Sequence, residues 1–311
     1  MLTPQLDPQR DPARDPARDP AHDSLRGLQD GPRDLALPGP ARGAEPDVAD
    51  GLPLGRPRFY IPVVKPYVTY GLVAANLIVF VLAFVYGLTR FGVWTGSQDM
   101  RVLVALGAKV NELVTLGQAW RLFTAMFLHI GPLHLLFNLY ALYAIGMLIE
   151  GYYGHVRYAL IYFLGGLLGS IGSYAFTSAP SAGASGGIFA ITGATAVYFF
   201  RYRENFGARG RAVLQNMLFI IVVNLAFGFA GSGVDNWGHL GGLFGGALVA
   251  WGLTPRYRVP AVVRYGDQPM EIIHRPVMEV AWVAGFCVLL VALFLWARST
   301  QIEAALQLLQ L

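Results

Sequence analysis

Cysteine is nearly missing from this chain: Cys287 stands alone, inside an apolar run. One cysteine forms no intrachain disulfide, and a thiol enzyme or a cysteine-based metal site is left without its ligands. Read structurally, Cys287 is a small apolar residue. Charge is scarce too. Only 14% of the 311 residues are charged, against about 25% in a soluble domain, which turns the reading toward a bilayer. The net charge of +4 comes without interleaved basic and aromatic residues. It therefore speaks to topology, and no nucleic-acid partner is expected. No His-Glu-x-x-His signature is present, and no acidic residue completes a metal site from His129, His134 and His239. Neither a metal nor another cofactor is expected.

Residues 1–62 are set apart by composition. They open on a four-residue near-repeat, Asp7-Pro8-Gln9-Arg10, Asp11-Pro12-Ala13-Arg14, Asp15-Pro16-Ala17-Arg18 and Asp19-Pro20-Ala21-His22. Proline at every fourth position removes helix donors, and few apolar side chains offset the ordering entropy. A disordered cytoplasmic tail is expected over 1–62. It has no apolar segment of the secretory type, and its acidic residues argue against a mitochondrial leader.

Beyond residue 62 long apolar runs dominate. A membrane span needs about 20 apolar residues, and seven candidates occur: 67–88, 132–150, 158–176, 185–200, 213–229, 237–253 and 277–296. Residues 89–130 form a long connection of mixed polarity. Arginines cluster after the fourth span (Arg201, Arg203, Arg209, Arg211) and after the sixth (Arg256, Arg258, Arg264, Arg275), while Arg56, Arg58 and Lys65 precede the first. All three groups fall on one side if the N-terminus is cytoplasmic. The long first connection carries Arg90, Arg101, Lys109 and Arg121 on the other side. Glycine pairs four apart, Gly165/Gly169, Gly238/Gly242 and Gly242/Gly246, suit close helix packing.

Polar groups inside spans are costly and point to function. Ser185 lies in Gly183-Ala184-Ser185-Gly186, where an uncharged outer loop meets the fourth span. Read blandly, it caps a helix. His239, near the start of the sixth span, falls at similar depth on the same side. A serine hydroxyl needs a neighbouring base to become a nucleophile, and histidine suits that role. His134 and Asn138 are four apart on one helix face, and both can donate to an oxyanion. His129 precedes the helix that Pro132 opens. Trp120-Arg121 reads as an interface anchor. Glu150, within Gly146-x3-Glu150-x3-Gly154, reads as a tie between a helix end and a loop. Asp235 is four residues before His239 and reads as a helix cap, so no acid completes a triad.

Together these residues resemble the rhomboid family of intramembrane proteases. The likeness covers residues from about 67 to 253. It rests on Trp120-Arg121, His129-x4-His134-x3-Asn138, Gly146-x3-Glu150-x3-Gly154, Gly183-x-Ser185-Gly186 and His239-x2-Gly242-x3-Gly246, in the family's order. The resemblance implies an all-α polytopic membrane protein: a six-helix core over 63–255, a cytoplasmic loop over 256–276, and a seventh transmembrane helix within 277–311. It implies a Ser185–His239 dyad, an oxyanion hole from the Ser185 N–H, His134 and Asn138, and support from His129, Gly183, Gly186 and Gly242. Phe189, one turn after Ser185, stands where some members carry tyrosine, and its ring can stack on His239. Substrates would be membrane proteins with a transmembrane segment, met in the lipid bilayer of a bacterial plasma membrane. Two rivals belong to other classes. A catalytically silent relative would bind transmembrane segments as a chaperone or quality-control factor, and it would lack the dyad. A solute transporter would be expected to carry buried charges at mid-membrane and internal repeats, and the sequence shows no buried charged pair and no inverted repeat.

Overall fold

The computed structural model describes residues 57–229, 233–264 and 266–309. The Asp-Pro repeat lies outside them. So does the expected tail as far as residue 56, whereas its last residues include strand β1 (Arg58–Tyr60). Ten α-helices follow among the described residues: α1 (Tyr67–Phe91), α2 (Met100–Leu106), α3 (Asn111–Thr115), α4 (Arg121–Thr124), α5 (Pro132–Tyr153), α6 (His155–Phe176), α7 (Ser185–Arg201), α8 (Arg203–Phe229), α9 (Asn236–Leu253) and α10 (Pro276–Leu309). Strands β2 (Arg256–Arg258), β3 (Asp267–Pro269) and β4 (Glu271–Ile273) sit between α9 and α10.

Helices occupy all seven stretches read as spans. Four of them are long and apolar enough to cross a membrane: 67–91, 132–153, 155–176 and 276–307. The chain is thus an all-α, multi-pass membrane protein. The stretches at 185–200, 213–229 and 237–253 do not meet that measure, and the reason is physical. Helix α7 has only 17 residues and α9 only 18, and both are diluted by glycine. Helix α7 is buried along most of its length, whereas α9 buries its glycine face and exposes Trp237, Phe244, Leu248 and Trp251. A Cβ added at Gly242 would overlap the Gly186 carbonyl, and one at Gly246 would overlap that of Ala190. One at Gly165 would meet both Ala190 and Gly246. Close backbone approach of α6, α7 and α9 requires these small residues.

The connection at 89–130 is not irregular. It folds into α2, α3, α4 and a 3-10 turn (Ala125–Phe127). Asp99 caps α2 by accepting from the Arg101 N–H at 2.9 Å, and Gly107 ends it in the left-handed region at φ 105°. Arg121 corrects the interface-anchor reading. It is 6% exposed and donates to the carbonyls of Val104 (2.7 Å) and Ala108 (3.1 Å) and to Gln118 Oε1 (2.7 Å). A planar guanidinium with five donors can satisfy several loop carbonyls at once. Trp120 beside it is half exposed and lies under the guanidinium, 4.7 Å from ring centroid to Arg121 Cζ.

At the opposite end, Glu150 is fully buried. Its carboxylate accepts from the N–H groups of Val68 (2.8 Å) and Thr69 (2.7 Å) and from the Thr69 hydroxyl (2.7 Å), and it meets His155 Nδ1 at 2.6 Å. It serves the free amides that begin α1. Nearby, β1 pairs in parallel with β3, and β2 antiparallel with β4. Helix α10 is fastened near this end by the Arg157–Glu279 pair at 2.9 Å. At its other end Arg298 donates to the Thr115 carbonyl and Gln301 to that of Tyr174.

Candidate active site

Ser185 opens α7, so its amide has no acceptor within its own helix. The run leading to it is stitched down by three contacts. Lys109 and Ser181 exchange backbone bonds in both directions (2.9 and 3.0 Å), Gly183 N–H donates to Ala125 O (2.9 Å), and Ala184 N–H donates to His129 Nε2 (3.4 Å). The last bond makes His129 Nε2 an acceptor, so the neutral ring carries its proton on Nδ1. Burial, with the neighbouring His134, holds His129 down at about 3.

His134 lies on the first turn of α5. Its Nδ1 accepts from the Ile130 N–H at 3.3 Å, which leaves Nε2 as the protonated nitrogen. That nitrogen faces the loop before Ser185. A Cβ built on Gly183 would lie 3.1 Å from His134 Nε2 and 3.5 Å from Ser185 Oγ. Only a glycine leaves that gap open between donor and hydroxyl. Asn138, one turn along, donates one amide hydrogen to the His134 carbonyl at 2.9 Å and keeps a second.

His239 lies on the first turn of α9. Asp235 caps that turn by accepting from Gly238 N–H at 2.9 Å. Burial pushes the Asp235 carboxyl up. The hydroxyls of Ser173 and Ser181, the Gly238 amide and the charge of Lys109 together bring it below the ordinary aspartate range. Among the described residues His239 Nδ1 has no hydrogen-bond partner, so no carboxylate is aligned on it. The ring is held by stacking instead, against Phe189.

A cavity of about 500 Å³ gathers these groups. Ser185, His239, His134, Asn138 and Phe189 all border it. A smaller pocket of about 30 Å³ lies behind, bordered by Gly183, Ser185, Gly186, Asp235, His239 and Lys109. Gly242 shapes the site from below by letting α9 approach Gly186. Trp120, Arg121 and Glu150 do not border either space.

Polar residues at the site that the sequence reading did not single out include Thr192, Asn224 and Lys109. Thr192 of α7 and Asn224 of α8 border the large cavity, and a polar residue inside an apolar run is the signal that marks them. Lys109 is 1% exposed, and nothing in its local sequence distinguishes it from a solvated loop lysine.

Residues 116–256 match the Rhomboid domain. The "Rhomboid protease GluP" of Bacillus subtilis is 43% identical over 222 residues, which is 71% of this chain and 40% of that protein. "RHOMBOID-like protein 1" of Arabidopsis thaliana is 31% identical over 256 residues, 72% of this chain and 64% of the relative. "RHOMBOID-like protein 7" of the same plant is 31% identical over 254 residues, 71% of this chain and 80% of the relative. The chain thus spans less than two thirds of the first two of these relatives.

Proposed function

This chain belongs to the rhomboid family, and we propose on that premise that it is an intramembrane serine endopeptidase with Ser185 as nucleophile and His239 as base. One observation carries the assignment: Ser185, His239, His134 and Asn138 border a single cavity. The similarity to a Bacillus subtilis protein named as a rhomboid protease supports it.

A transmembrane segment of a membrane-protein substrate unwinds into the cavity, because a helical peptide bond is shielded by its own turns. Ser185 Oγ attacks the carbonyl carbon while His239 takes the hydroxyl proton. Negative charge gathers on the carbonyl oxygen. The Ser185 N–H, His134 Nε2–H and the second amide hydrogen of Asn138 receive it. His239 then gives its proton to the leaving amine, and water cleaves the acyl-enzyme. The pocket behind Ser185 has the room a water needs. His129 keeps the loop before Ser185 in place through the Ala184 amide. No cofactor enters the scheme.

The proposal includes a six-helix core of α1 and α5–α9, with α10 as a seventh span. It also places the N-terminus on the cytoplasmic side of a bacterial plasma membrane, where the arginine-rich loops would lie. Fluorophosphonate labelling of detergent-solubilised protein tests the assignment, alongside cleavage of a transmembrane substrate in proteoliposomes. Wild type is expected to label and cleave, and Ser185→Ala and His239→Ala to do neither. A folded wild type that neither labels nor cleaves would overturn the protease reading in favour of a silent binder of transmembrane segments.

A further inference from the structure

Lys109 is a buried cation in a membrane protein's outer loop, and neither the dyad nor the oxyanion groups account for it. Its ammonium meets Asn111 Oδ1 (3.0 Å) and the carbonyls of Thr177 (3.0 Å), Ala179 (2.8 Å) and, at the limit, Ser173 (3.5 Å). Thr177 is the C-cap of α6, so the charge sits on the negative end of that helix. The backbone of the same residue forms the two-way bridge to Ser181, four residues before Ser185. Asp235, which caps the helix of His239, is the acidic group that acts most strongly on it, and Thr177 Oγ1 donates to Asp235 Oδ1 at 3.3 Å. One residue thus touches the segment that delivers the serine and, through Thr177, reaches the carboxylate that caps the histidine's helix.

We propose that Lys109, through its charge, is a positioning residue for the Ser185–His239 pair, setting the start of α9 against the start of α7. This rests on the protease reading above. The protonated amine carries three donors for its cluster of acceptors. Deprotonated, it keeps two and turns a lone pair toward carbonyl oxygens. The Asp235 carboxylate would then be buried without a counter-charge, and the turn that carries His239 loosens.

The groups that can tune Lys109 are few. They are Asp235 at the start of α9, Glu112 on α3, Tyr174 on α6 with Arg298 of α10 beyond Thr115, and His239 across the small pocket. Burial pushes the ammonium down to about 8, against the favourable charges of Asp235 and Glu112. An unfolded lysine titrates near 10.4. Between about pH 8 and 10.4 the unfolded chain therefore binds more protons, so stability rises with pH across that window. A lysine that only supported the fold would cause no loss of function there. A positioning lysine would.

The test is the rate of fluorophosphonate labelling of the full chain in detergent from pH 6.5 to 10, with the thermal midpoint followed in parallel. Wild type is expected to lose about tenfold in rate on an alkaline limb centred near pH 8, with no fall in thermal midpoint. Lys109→Met should label about tenfold slower at pH 7 and show no such limb. Asp235→Asn keeps a good helix cap but removes the counter-charge, so its limb should move to lower pH. That variant carries the test if Lys109→Met does not fold. A flat wild-type profile to pH 9.5, a folded Lys109→Met at wild-type rate, or an unmoved limb in Asp235→Asn would each overturn the inference while leaving the dyad intact. A folded wild type that labels at no pH would instead overturn the dyad itself.

Discussion

The ring of Phe189 lies flat against that of His239, with centroids 4.2 Å apart and planes 13° from parallel. Among the described residues no carboxylate meets His239 Nδ1, so the stack on Phe189 is the contact that orients the imidazole. An aromatic pair of this kind contributes about 0.5–1.5 kcal/mol, or roughly two- to tenfold in the population of the working orientation. Phe189→Leu is expected to lower kcat by about that factor, and Phe189→Tyr to hold it near wild type. Steady-state cleavage of a transmembrane substrate in proteoliposomes measures both.

In the proposed oxyanion hole, Asn138 and His134 would donate where charge develops rather than where substrate rests. Asn138→Ala is expected to reduce kcat by about 10²–10³, the usual loss for one oxyanion donor, with KM little changed. A proportional rise in KM at constant kcat would assign Asn138 to substrate binding instead.

Glu150 borders neither cavity but satisfies several donors. Glu150→Ala strands the amides of Val68 and Thr69, at about 1–3 kcal/mol for each buried unsatisfied group. A clear drop in thermal midpoint is expected, while the folded fraction still labels with fluorophosphonate at the wild-type rate.

The glycines between α7 and α9 are expected to differ sharply from those facing outward. Gly246→Val drives a side chain into the Ala190 carbonyl, and overpacking typically costs about 1–3 kcal/mol or more. Gly71, with nothing within 4 Å of a built Cβ, should accept alanine without loss. Thermal unfolding of the two variants in one detergent checks the contrast.

Acid should weaken the fold through His129. Held near 3 by burial and by His134, it stays neutral while an unfolded histidine gains a proton below about pH 6.5. The stability this contributes is whole above about pH 6.5 and is lost as pH falls, by roughly 2 kcal/mol at pH 5. Asp235, also held low, adds loss in the same direction further down. The thermal midpoint of wild type is expected to fall between pH 7 and 5, and less steeply in His129→Gln.

Hydropathy made α1, α5, α6 and α10 legible, because lipid faces much of each helix and demands apolar side chains. The central helices were harder. In α7 and α9 the neighbour is another backbone, which selects glycine and alanine and lowers hydropathy. There the spacing of Gly242 and Gly246 was the better guide. Ser185, His239, His134 and Asn138 could be picked out because polar atoms in apolar runs are conspicuous. Lys109 could not, because its acceptors at the end of α6 and just beyond it lie 64 to 70 positions away. Arg121 failed for the same reason: its acceptors Val104 and Ala108 lie 17 and 13 positions away, beyond any local pattern.

The length of α10 has a mechanical meaning. Its 34 residues make a rod of about 50 Å, well beyond a hydrocarbon core of about 30 Å. The rod is riveted at both ends, by Glu279 to Arg157 and by Arg298 and Gln301 to the opposite face. Helix α8, on another flank, breaks at Gly207 and turns Ile220 and Asn224 toward the cavity. The molecule therefore has one wall fastened at both ends and another whose helix is interrupted near its start, so the two flanks are built on different principles.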